Sequence, residues 1–102
     1  MSPARVLHVV PPAVADPSQQ YLGSVKDIRG RTQYFRERGL AYDEVEAPHR
    51  QDLLLREVLR GAAPERYDVA VIEMTLYPRS IRYLRRRVPE MRVFVRSHNA
   101  EL

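Results

Sequence analysis

Tyr67-Asp68-Val69-Ala70-Val71-Ile72-Glu73-Met74-Thr75 is the stretch on which the fold turns. The whole stretch, Tyr67 to Thr75, reads as a strand through its apolar run, Val69 to Ile72 and then Met74. Near-continuous apolar character suits a strand covered on both faces, as in a parallel sheet. Downstream, Pro78 fits the first turn of a helix, where its missing N–H costs nothing. Ile81, Leu84 and Val88 recur at helical spacing and form the buried side, with the arginines turned outward and Pro89 as the stop. Val93, Phe94 and Val95 then carry a strand over Arg92 to Arg96.

Upstream the same alternation recurs. Asp52 reads as the N-cap of a helix through Arg60 that buries Leu54, Val58 and either Leu55 or Leu59, closed by Gly61 and Pro64. Ala41 to Glu46 reads as a strand whose carboxylates alternate poorly with Tyr42 and Val45, so it belongs at a sheet edge. A helix is expected from Ser24, with the serine hydroxyl as cap and Asp27 as its partner three residues on. Val25, Ile28, Thr32 and Phe35 lie on one face of that helix, and Gly39 is placed to end it in the left-handed conformation. Arg5 to Val10 is the first strand, stopped by Pro11 and Pro12.

Four strands thus alternate with helices and no hairpin signal intervenes. The pattern predicts an α/β fold: a Rossmann-like open parallel sheet with helices on both faces, incomplete at about four βα units. A chain of 102 residues holds one such domain. The absence of cysteine excludes disulfide scaffolds, thiol catalysis and Cys-ligated zinc. The longest apolar run falls far short of the ~20 residues that a bilayer requires, and no signal peptide is visible, so the cytoplasm is the expected location. Net charge is +4, and Lys26 is the only lysine among 17 basic residues. Arg82, Arg85, Arg86 and Arg87 form the one local cluster, which reads as a solvated helix face.

Open parallel sheets bind ligands beyond the carboxyl ends of their strands, here residues 11–24, 73–77 and 97–102. Gly23, just before a helix start with Ser24, lets backbone N–H groups approach an anion, although a plain helix-entry turn explains it equally. Glu73, at a strand end, is read as the partner of a nearby arginine rather than a sugar ligand. Arg96-Ser97-His98-Asn99-Ala100-Glu101 places several hydrogen-bonding groups directly after a strand. His98 and Glu101 suit acid–base work or hydroxyl binding, and Asn99 both donates and accepts; a polar loop capping the next helix is the alternative. His8, within a strand, reads as a core histidine, and three dispersed histidines lack metal-ligand spacing.

Arg5-Val-Leu-His-Val-Val10, the loop carrying Gly23-Ser24, Tyr67-Asp-Val-Ala-Val71 and Val95-Arg-Ser-His-Asn-Ala-Glu101 together resemble the N-terminal domain of a GT-B fold retaining glycosyltransferase, of the family-4-like type. The resemblance covers residues 1–102 as a partial, acceptor-side Rossmann-like domain, with the C-terminal donor-binding domain absent. It implies transfer of a hexosyl group from a nucleotide-sugar to a hydroxyl acceptor, with retention, by a longer protein; the chain alone is then expected to be inactive. By resemblance, Gly23 and Ser24 match the loop whose backbone approaches the donor diphosphate, and His98 matches the catalytic histidine that reaches the transferred sugar. Asn99 and Glu101 would shape the acceptor side. Gly23-Ser24 stands where many members have two glycines. The same resemblance implies no cofactor beyond the donor substrate, no metal and no nucleic-acid partner, and it is compatible with peripheral association at the inner face of the membrane. The competing reading is a small basic α/β binding module that docks on nucleic acid or an anionic membrane through the Arg82–Arg87 helix.

Overall fold

A computed structural model describes residues 4–11, 23–48, 51–73 and 77–96 of the chain, with side chains from residue 26 onward in the second segment. Its elements follow the expected alternation: β1 (Arg5–Val10), α1 (Gly23–Glu37), β2 (Ala41–Glu46), α2 (Asp52–Gly61), a 3-10 turn at Pro64–Arg66, β3 (Val69–Glu73), α3 (Pro78–Arg87) and β4 (Arg92–Arg96). The four strands form one sheet in the order β2-β1-β3-β4, and every pairing is parallel. The fold is therefore the α/β arrangement anticipated, an incomplete Rossmann-like unit.

Strand register sorts the side chains. Pairing of His8 with Val71 and of Leu7 with Ala70 puts Val6, His8, Val10, Val69, Val71 and Glu73 on one face, and Leu7, Val9, Ala70 and Ile72 on the other. The second set forms the main core with Leu55 and Leu59 of α2, Leu84 of α3, and Tyr67, Tyr77 and Met91. The first set lies on the side of α1, where Ile28 packs on Val10. Phe94, on the same face of β4, is 53% exposed, so α1 does not cover that end of the sheet.

Local chemistry sets the boundaries. Gly39 takes φ +68°, Gly39 N–H donates to the Arg36 carbonyl and Leu40 N–H to the Phe35 carbonyl. This pair of bonds closes α1 as a Schellman motif and requires the left-handed residue that glycine supplies. β2 is an edge strand, as its pattern indicated. Pro78 occupies the first turn of α3, and the arginines of that helix are exposed.

Several expectations need correction. α1 begins at Gly23, one residue before the proposed serine cap. Asp52 is the first residue of α2 rather than its cap; its carboxylate accepts from Arg79 N–H (2.7 Å), Ser80 N–H (2.9 Å) and the Ser80 hydroxyl (2.7 Å), capping α3 instead. Leu54 and Val58 are exposed at 47% and 37%, because α2 faces the sheet with the Leu55–Leu59 pair one turn apart. β3 starts at Val69, since Tyr67 leaves the sheet to donate its hydroxyl to Asp43 at 2.7 Å. Met74 and Thr75 lie outside the described residues. No helix among the described residues is long and apolar enough to cross a membrane.

Candidate functional site

Parallel strands bring Val10, Glu46, Glu73 and Arg96 to one edge of the sheet. The chain leaves β1 for β2 on one side and reaches β3 on the other, so the topological switch falls between β1 and β3. Doubly wound sheets open a ligand crevice at such a point, because adjacent loops depart in opposite directions there. The first turn of α1, starting at Gly23, begins the element that follows β1.

Beneath this edge lies a buried polar network. The imidazole of His8 and the carboxylate of Glu73 are both fully enclosed, with Nε2 2.6 Å from Oε2. Arg31 reaches the same carboxylate from α1, donating from Nε to Oε2 and from Nη2 to Oε1 in a two-point fork. A carboxylate that accepts both arms of a guanidinium is held in its charged form, so the hydrogen on the His8–Glu73 link belongs to the imidazole. The bond to Glu73 in turn raises Arg31 above the ordinary guanidinium value, against the opposing effect of burial. Arg31 also donates to Asp27 one turn earlier (2.9 Å), and Asp27 meets Arg96 of β4 at 3.6 Å.

On its other side the His8 ring stands with Nδ1 2.7 Å from the Tyr42 hydroxyl. That hydroxyl lies 3.0 Å from Oε1 of Glu44 and 3.2 Å from Oγ1 of Thr32. Burial pushes the Tyr42 phenol up to about 12, so it keeps its proton across the neutral range. Glu73, His8, Tyr42 and Glu44 therefore form one hydrogen-bonded path from a buried carboxylate to a partly exposed one. Phe35 packs edge-on against the His8 ring at 5.7 Å and closes the space beside it.

The arrangement ties β1, β2, β3, β4 and α1 together through charged and polar side chains, fixing the edge at which the switch opens.

The residues singled out in the sequence fare differently. Glu73 does pair with an arginine, and His8 is a hydrogen-bonded core histidine, both as read. Gly23 and Ser24 lie together in the first turn of α1, with Ser24 described by its backbone alone. His98, Asn99 and Glu101 lie outside the described residues. Sequence reasoning missed Arg31 as a partner of Glu73, Tyr42 as a partner of His8, and Thr32 as a partner of Tyr42. One signal was present: Asp27 and Arg31 stand four apart on α1, the spacing of an ion pair on a helix.

Clefts also lie elsewhere. One, of about 440 Å³, sits at the amino edge of the sheet among Glu65, Asp68, Glu90 and Arg92, away from the switch point. Another lies between α2 and α3, and a third flanks α3 beside Pro78 and Ile81. Among the described residues no three His, Asp or Glu side chains are grouped to hold a metal ion. Comparison of this chain with protein-family models, with curated proteins and with solved structures finds no match.

Proposed function

We propose that this chain is the acceptor-side, N-terminal domain of a GT-B retaining glycosyltransferase that moves a hexosyl group from a nucleotide-sugar to a hydroxyl acceptor. The observation that carries the reading is the switch between β1 and β3, with α1 opening at Gly23 after the first of these strands. Backbone N–H groups at a helix start favour an anion, which suits Gly23 and Ser24 to the donor diphosphate. His98 is assigned to the transferred sugar, and Asn99 and Glu101 to the acceptor side, on the motif that follows Val95. The Glu73–His8–Arg31 network supports these assignments as a positioning device, because it holds β1, β3 and α1 in one relation beneath the edge.

In the reaction, a bond forms between the acceptor oxygen and the anomeric carbon while the bond from that carbon to the diphosphate oxygen breaks. The acceptor proton passes to the leaving diphosphate, and retention follows when both events occur on one face of the sugar. Stabilising the departing negative charge is the main electrostatic demand, and helix-terminal amides meet it. The catalytic cleft of such an enzyme lies between two domains, so donor binding and turnover are the properties expected of the longer protein.

Calorimetric titration of the longer, two-domain protein that this reading requires with uridine, guanosine and adenosine diphosphate hexoses tests the reading. Binding of at least one is expected, weakened by His98→Ala and by Gly23→Val. Absence of binding across the panel, or binding indifferent to both substitutions, overturns it.

A further inference from the structure

The outer side of the α2–α3 layer carries a groove of about 560 Å³ lined by Arg56, Arg60, Arg79, Arg82, Arg86 and Arg87, with Tyr83 as its one aromatic. α3 alone supplies five arginines in ten residues and no acidic side chain. Ion pairs draw off part of this charge: Glu57 meets Arg60 at 3.3 Å and Arg56 at 3.9 Å, and Glu65 meets Arg87 at 3.8 Å. Arg79, Arg82, Arg85 and Arg86 are exposed and have no ion-pair partner among the described residues. Guanidinium groups crowded this way repel one another unless an anion sits among them.

The groove is also held in shape. Asp52, at the start of α2, accepts from Arg79 N–H, Ser80 N–H and the Ser80 hydroxyl, whose oxygen also lies 2.9 Å from the Asp52 carbonyl. The two helix starts are thereby fastened together, and Arg60 rests on the Tyr83 ring at 5.9 Å. The two helices are thus held together before a ligand arrives, which leaves only the arginine side chains to be ordered on binding one.

We propose that this groove binds the phosphodiester backbone of nucleic acid without reading bases. Charge and length both fit. The ten residues of α3 span about 15 Å, the rise of roughly four or five base pairs along a duplex axis at ~3.4 Å each. The surface chemistry favours a hydrated polyanion over a bilayer. A helix lying in a headgroup layer presents apolar side chains alongside its cations. Here Leu84 is buried, and Ile81 and Val88 pack on the core. The exposed Leu54 and Val58 each stand two residues from an arginine of α2, about 200° round the helix and so on its opposite flank. Leu53 is the one exposed aliphatic on the arginine side of α2.

The test is fluorescence anisotropy of a labelled 16-base-pair duplex of arbitrary sequence, titrated with the chain between 25 and 200 mM salt. Binding is expected to be indifferent to base sequence, and log K is expected to fall against log salt with a slope between about −3 and −5. Arg82→Glu with Arg86→Glu should weaken binding by at least about tenfold, and Arg82→Gln with Arg86→Gln should reduce the slope by about 2 while circular dichroism shows the fold intact. No binding at 25 mM salt, or binding unchanged in the folded glutamine variant, overturns the proposal. So does capture of the chain by phosphatidylserine vesicles under conditions that leave the duplex free.

Discussion

On the face covered by α2 and α3, Leu7, Val9, Ala70 and Ile72 meet Leu55, Leu59 and Leu84, and the packing is aliphatic. On the face covered by α1, the same two central strands present Val6, His8, Val10, Val71 and Glu73, and the helix answers with Ile28, Thr32 and Arg31. Each strand residue and its neighbour in sequence therefore enter different media. The aliphatic face is the source of stability: burying a leucine contributes about 2 kcal/mol. The polar face must first remove an imidazole, a carboxylate and part of a guanidinium from water, and mutual attraction only offsets that cost. Such a face fixes geometry instead. Each of its groups has one arrangement in which all partners are met, and that arrangement locks β1, β3 and α1 at the switch point.

The largest effect expected of a single change is on the polar face. Glu73→Gln leaves Arg31 without its buried counter-charge and His8 without its carboxylate partner, and should destabilise the chain by about 3–5 kcal/mol in urea unfolding. Replacing the whole set, with His8→Leu, Arg31→Met and Glu73→Leu together, should return most of that loss. If the triple variant remains as unstable as Glu73→Gln, the two faces contribute to stability in the same way and the contrast fails.

On the aliphatic face, Leu59→Ala should cost about 2–4 kcal/mol, whereas Leu54→Ala, five residues earlier on α2, should fall within about 0.5 kcal/mol of the parent. Equal losses at both positions would mean that α2 turns a different side to the sheet. Thermal or urea unfolding of the pair decides it.

The smallest effect concerns pH. Tyr42 is held at about 12 in the folded chain by burial, above the ordinary phenol value of about 10. Its contribution to stability is complete below the unfolded value and is lost as pH rises from 10 toward 12. Tyr42→Phe should therefore lose less stability than the parent over that interval, as followed by urea midpoints at fixed temperature. Tyr67, also raised chiefly by burial, remains in both proteins and cancels from the comparison.

These contrasts show what the sequence could convey. Strand and helix periodicity is local, so the order of elements, the edge position of β2, the glycine stop at Gly39 and the outward arginines of α3 could all be read. An arginine partner for Glu73 could be expected, because a carboxylate in an apolar strand end needs a counter-charge. Which arginine, and that His8 and Tyr42 join it, depends on the β1–β3 register and the placement of α1 over the strands. Both are set by contacts between residues far apart in the chain. Leu54 and Val58 read as buried because the α2 pattern admits two apolar stripes. Only packing in the core that Val9 and Ile72 of the sheet help to form selects Leu55 and Leu59. Asp52 has the right position for a cap of its own helix, yet α3 begins close enough to take it.

The most direct test of the central claim is an amide chemical-shift titration of the longer protein, isotope-labelled over residues 1–102, with the nucleotide-sugar that calorimetry finds to bind. The account predicts shifts gathered at the carboxyl edge, on Gly23, Ser24 and residues 97–101, with the α2–α3 arginines unmoved. Shifts confined to α2 and α3, or no shifts at saturating nucleotide-sugar, would contradict it.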